Sequence, residues 1–225
     1  MRSQRLTVGF SSLLALALAV RAAPAAANPT LRKQVDQRGD IRLLGNTLAH
    51  ECGTGNPPVP APVVGTIGNC PEINFTAPDV YFRSDDPSDG TARADSNIMP
   101  DQARSTAVLT LPTDAKVTYA RLYWGSYSDS TNVDRNVRIE RPSSGVDMML
   151  TADGALTVQE PGNSRYWYQA SVEVTSLVSA QGAGPYRISD VGSVPLARLN
   201  DPYGYVAWYM VVFYQLSSEP QRNLA

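Results

Sequence analysis

The stretch from Tyr205 to Leu216 reads Tyr-Val-Ala-Trp-Tyr-Met-Val-Val-Phe-Tyr-Gln-Leu and contains no charge, proline or glycine. Its β-branched and aromatic content predicts the central strand of a β-sheet rather than a helix. Side chains alternate across a strand, so Val206, Trp208, Met210, Val212 and Tyr214 fall on one face. Tyr205, Ala207, Tyr209, Val211 and Phe213 fall on the other. Both faces are apolar enough to expect cover from other parts of the chain.

Strand-length alternation recurs upstream of this run. Ser105 to Leu111 alternates apolar with small polar residues and stops at Pro112-Thr113-Asp114. Lys116 to Gly125 resumes it, with Ala120, Leu122 and Trp124 on a core face and Tyr119, Arg121 and Tyr123 on an amphipathic one, so the two segments are expected as antiparallel neighbours. Shorter strands are predicted at Asp40–Leu44, ending in a Gly45-Asn46 turn, and at Asp79–Phe82, Val137–Glu140, Val146–Leu150, Tyr166–Val174 and Tyr186–Ser189. Ala155–Val158 is expected to follow an Asp153-Gly154 hairpin turn. Thr175 is expected to cap a single helical turn before Gly182 and Gly184. Many short strands with no longer helical pattern predict an all-β, antiparallel, jelly-roll-like β-sandwich.

At the N-terminus, Arg2 and Arg5 precede the apolar run Leu13–Val20 and the small residues Ala25-Ala26-Ala27. This is the pattern of a secretory signal peptide over residues 1–27, and its apolar core is too short to span a bilayer. Residues 28–37 are read as a flexible lead-in, 38–216 as the sandwich domain, and 217–225 as a tail or the start of a continuation. The expected location is secreted, extracellular or at the cell surface. A net charge of −2 and the absence of a basic stripe predict no nucleic-acid partner, and no run is long and apolar enough to be transmembrane.

Cys52 and Cys70 are the only cysteines and flank a Gly/Pro-rich segment. In an oxidising compartment a disulfide closing this loop is expected, removing about 3 kcal/mol of unfolded-state chain entropy. Two free thiols, or a metal pair with His50, are the alternatives.

Several segments occur together and in order. They are Gln37 to Leu48, Ser105 to Leu111, Ala120 to Trp124, Val174 to Val178, Ala207 to Tyr214, and Arg222-Asn223-Leu224. In this the chain resembles the N-terminal module of large, mostly uncharacterised bacterial cell-surface proteins of myxobacterial type, some labelled gliding-motility proteins. The resemblance covers essentially the whole mature chain, and its motifs mark the fold and bring no catalytic residues. It implies a secreted or surface-displayed chain that continues into further β-rich repeats.

Two constellations are candidates for chemistry. Asp85, Asp86, Asp89 and Asp95 share one Gly/Ser-containing loop whose hard oxygens suit Ca²⁺, although the spacing is not that of an EF-hand and a solvated acidic loop is the competing reading. Tyr119, Tyr123, Tyr127, Trp167 and Tyr168 are candidates to project from a sheet or its rim and stack on sugar rings, with core packing as the alternative. His50 is the only histidine and has no identifiable catalytic partners. The reading is therefore a non-catalytic module for adhesion or surface assembly, binding a glycan or a surface protein and requiring no cofactor other than a candidate calcium ion. A carbohydrate-binding or polysaccharide-hydrolase fragment is the alternative.

Overall fold

The computed structural model describes residues 31–51, 80–86, 91–95, 98–142, 144–162, 164–195 and 204–225. The signal-peptide expectation over 1–27, Cys52, Cys70 and Asp89 lie outside these residues. Contacts divide the chain into Met1–Arg32 and Lys33–Ala225, and the second unit is the β-rich domain.

Its strands are β1 (Val35–Thr47), β2 (Ala49–Glu51), β3 (Val80–Asp86), β4 (Thr91–Asp95), β5 (Arg104–Leu109), β6 (Lys116–Ser128) and β7 (Asn136–Arg141). Then come β8 (Val146–Thr151), β9 (Gly154–Gln159), β10 (Tyr166–Glu173), β11 (Gly184–Ser189), β12 (Val206–Gln215) and β13 (Gln221–Leu224). A 3₁₀ turn covers Pro100–Gln102, and one helix, α1, covers Thr175–Gln181.

The strands form two sheets, one in the order β13-β1-β12-β6-β10-β9 and one in the order β2-β3-β5-β11-β7-β8, with β4 paired to β3. The chain crosses between sheets after β1, β5, β6, β8, β10 and β11. The first sheet thus carries β1-β12-β6-β10 as neighbours and the second β5-β11-β7-β8.

The alternation in the Tyr205–Leu216 run is realised in β12, where Val206, Trp208, Met210, Val212 and Tyr214 are all buried. β12 pairs with β6 so that Trp208 lies opposite Trp124 and Met210 opposite Leu122. These four side chains join Phe82, Leu109, Ile139, Tyr186 and Ile188 of the second sheet in one core. A polar link crosses that core where the Trp208 indole Nε1–H donates to Ser105 Oγ of β5 at 2.9 Å.

The fold expectation is corrected in several respects. No disulfide bond is present among the described residues. On either side of residues 52–79, β2 and β3 pair antiparallel with Glu51 opposite Val80. Next to that ladder, Leu48 is fully buried, its N–H donates to Val206 O, and its carbonyl accepts from Arg83 N. The second sheet is also not wholly antiparallel, since β3 meets β5 in a parallel step at Ser84 and Arg104.

Local turn signals misplace two connections. The Pro112–Asp114 and Asp153-Gly154 turns do not close hairpins but carry the chain from one sheet to the other. Likewise Gly45-Asn46 is not a turn. β1 runs straight through it, and a Cβ at Gly45 would lie 2.5 Å from Trp208 O, so glycine here serves close strand approach. At the ends, Val35–Arg38 and Gln221–Arg222-Asn223-Leu224 pair with each other as β1 and β13.

Ser105 is fully buried, so Ser105→Ala leaves the Trp208 indole N–H without its acceptor. A loss of about 1–3 kcal/mol is expected, read from the shift of the urea unfolding midpoint at unchanged slope.

Candidate functional site

The outer face of the six-stranded sheet is where the structure departs from the expected cover. At one end Phe213 is buried against Tyr119 and Leu224, with Val35, Ile41 and Val211 packed around them. Over the rest of the face the strand register aligns Gly45, Tyr209, Tyr123 and Ser171 in one row across β1, β12, β6 and β10. The next row is Thr47, Ala207, Gly125, Gln169 and Leu156. Tyr209 is 41% exposed, Tyr205 42%, Leu156 46%, Val158 54% and Leu43 73%.

The centre of this face is the Tyr123–Tyr209 pair, whose rings are parallel within 5° at a centroid separation of 4.6 Å. Such a pair contributes about 0.5–1.5 kcal/mol beyond its area burial and holds both rings upright on the sheet. Gln169 Nε2 donates to Tyr209 Oη at 3.3 Å, reaching from β10 to β12 past Gly125, which has no side chain to obstruct it. A Cβ at Gly125 would lie 2.4 Å from Tyr168 O. The floor beside the aromatic pair is thus Ala207 and Gly125, both small. Arg121 packs its guanidinium 5.9 Å from the Tyr123 ring centroid and is held by an ion pair to Asp153 and by Ser171 Oγ at 3.0 Å.

Of the five aromatics read as sugar-stacking candidates, Tyr123 stands on this face and Trp167 is half-buried beside exposed Val158. Tyr127 is buried, with its ring tilted against Trp167 at 6.2 Å. Tyr168 is turned into the core, its hydroxyl donating to Gly192 O at 2.6 Å. Tyr119 is covered, edge-on to Phe213. Trp167 and Tyr168 are adjacent on a strand, so one necessarily faces away from the other. Tyr205 and Tyr209 were not among the candidates. Their signal was present in the outward register of the central run, but it was read as a second covered face.

The acidic candidates separate as well. Asp85 is not in a solvated loop but on β3, buried, ion-paired to fully buried Arg83 and accepting from Thr106 N at 2.9 Å through its other oxygen. Burial raises its carboxyl above the ordinary range, against the opposing effect of Arg83. Asp89 and the side chains of Asp86 and Asp95 lie outside the described residues. Among the described residues no group of three or more His, Cys, Asp or Glu is placed to hold a metal ion, and no helix is long and apolar enough to cross a membrane.

Comparison with protein-family models, with curated proteins and with solved structures yields no match.

Burial pushes the phenols of Tyr119, Tyr168, Tyr186, Tyr205 and Tyr209 above the usual tyrosine range, with the neighbouring Tyr123 adding to the effect at Tyr209. The folded state therefore keeps protons that the unfolded chain releases above pH ~10. Stability is complete below that pH and falls as pH rises through it. The thermal midpoint is expected to drop across this alkaline window, and less steeply in Tyr209→Phe.

Proposed function

We propose that this domain is a non-catalytic binding module that acts outside the cell or at its surface, in adhesion or surface assembly. The observation that carries the reading is the uncovered aromatic face built on the Tyr123–Tyr209 stack, flanked by exposed Tyr205, Leu156, Val158 and Leu43. An aromatic and aliphatic surface with hydrogen-bonding groups at its centre and a charged rim has the composition of a recognition surface. The ring pair is pre-ordered by stacking and by the Gln169 hydrogen bond, so little side-chain entropy is lost when a partner covers it. The signal-peptide pattern of residues 1–27 supports an extracytoplasmic location, and the resemblance to surface-protein modules supports display on a surface.

The test is retention of the full, fluorescently labelled chain on intact cells of the producing organism that lack their own copy. Tyr209→Ala and Tyr123→Ala are each expected to weaken retention by about tenfold, the range of an aromatic hot-spot residue, with the unfolding transition still cooperative. Equal retention of both variants and the parent chain would remove this face from the function.

A further inference from the structure

The outer face of the second sheet differs in kind, because it carries charge at positions where the first carries rings. Ser84, Arg104, Ser189 and Arg138 lie in one row across β3, β5, β11 and β7. Thr106, Arg187 and Glu140 form the next row. A cleft of about 340 Å³ opens on this face, with Asp101 of the 3₁₀ turn on one wall, Asp190 on the other and Ile98 as the apolar contributor. Its size is at the lower end of small-ligand sites.

Two features of the cleft bear on what it accepts. The first is charge balance. Asp101, Glu140 and Asp190 stand against Arg104 and Arg138, the adjacent Arg187 neutralises Glu140 through a bidentate pair at 2.6 and 2.8 Å, and the adjacent Asp147 pairs with Arg138. Charges of both signs are therefore interspersed with a slight acidic excess, and an anion meets no surplus of positive charge.

The second is that donors and acceptors are both left unused. Arg104 donates from Nε to Ser84 Oγ at 3.1 Å, while its two terminal nitrogens bond nothing among the described residues. Arg138 Nε is 3.1 Å from Asp147 Oδ1 and 3.8 Å from Asp190 Oδ2, yet this buried N–H is aligned with neither. The carboxylates of Asp101 and Asp190 accept no hydrogen bond among the described residues. Asp190 also holds a left-handed backbone, with φ of 57°, directly after β11.

We propose that this cleft is a binding site for a neutral polyhydroxylated ligand, a single sugar ring or the terminal ring of a glycan. A hydroxyl both donates and accepts, so a ring bearing several of them satisfies guanidinium N–H groups and carboxylates side by side without adding charge. Ile98 offers the ring's C–H edge an apolar contact. The site is on the opposite sheet from the aromatic face and stands whether or not that face binds.

The test is titration of the full chain, followed by backbone amide NMR, with the methyl glycosides of glucose, galactose and mannose and with N-acetylglucosamine. Sulfate and glycine serve as charged probes. At least one neutral sugar is expected to shift the amides of Arg104, Arg138, Ser189 and Asp190. Arg104→Gln and Asp190→Asn, the latter tolerant of a left-handed backbone, are each expected to weaken that sugar by about tenfold while leaving distant amides in place. Tyr209→Ala is expected to leave the affinity unchanged. The proposal is overturned if no neutral sugar shifts these amides, if only sulfate or glycine does, or if the sugar shifts gather at Tyr123 and Tyr209 instead.

Discussion

The structure depends on the antiparallel ladder between β12 and β6. It sets Trp208 opposite Trp124 and Met210 opposite Leu122, placing two of the chain's three tryptophans on one side of one sheet. Neither ring can be buried by its own sheet, so the second sheet must lie over them. The Trp208 to Ser105 hydrogen bond then fixes where the two sheets meet, because a buried indole N–H needs an acceptor and Ser105 supplies it from β5. Trp124 is similarly anchored, donating from Nε1 to Asp134 O.

With the apolar inner faces committed to each other, the outer faces are left to differ. On the first sheet, small residues at Gly45, Ala207 and Gly125 let strands and rings approach closely, and aromatic side chains stand exposed around them. On the second, arginines and carboxylates are arranged in cross-strand rows. Arg187 and Glu140 pair with each other there, while Arg104 and Asp190 are left open to a cleft. Beneath this face Asp85 holds Arg83 Nε and Thr106 N together, while the terminal nitrogens of Arg83 and the hydroxyl of Thr106 are buried without a partner among the described residues. One domain thus offers two surfaces of opposite chemistry, and both follow from which residues the core did not take.

Much of this was legible along the chain. The period of two assigns Ala120, Leu122 and Trp124 of β6 to the core, and in β12 it groups Val206, Trp208, Met210 and Val212 on one face; all seven are buried. A helical turn near Thr175 was readable, but Thr175 is its first residue rather than its cap, which is Val174, and the helix extends to Gln181. What local pattern could not decide was partnership. Pro112–Asp114 and Asp153-Gly154 have the composition of hairpin turns, yet each changes sheets, because a turn's dihedrals say how the chain bends and not which strand it then meets. The charged cleft was invisible for the same reason: Ser84, Arg104, Arg138 and Ser189 are far apart in sequence and become neighbours only through strand order.

The sequence by itself determined that the chain makes strands, and which side chains of the central strands share a face, since alternation is a property of each strand alone. Tertiary structure decided which outward side chains stay uncovered. Phe213 and Tyr209 are both on the outward face of β12 and both aromatic, but β13 brings Leu224 over the first and nothing among the described residues covers the second. Burial depends on what other parts of the chain arrive at a position, and that is a property of the assembled sheets rather than of any segment within them.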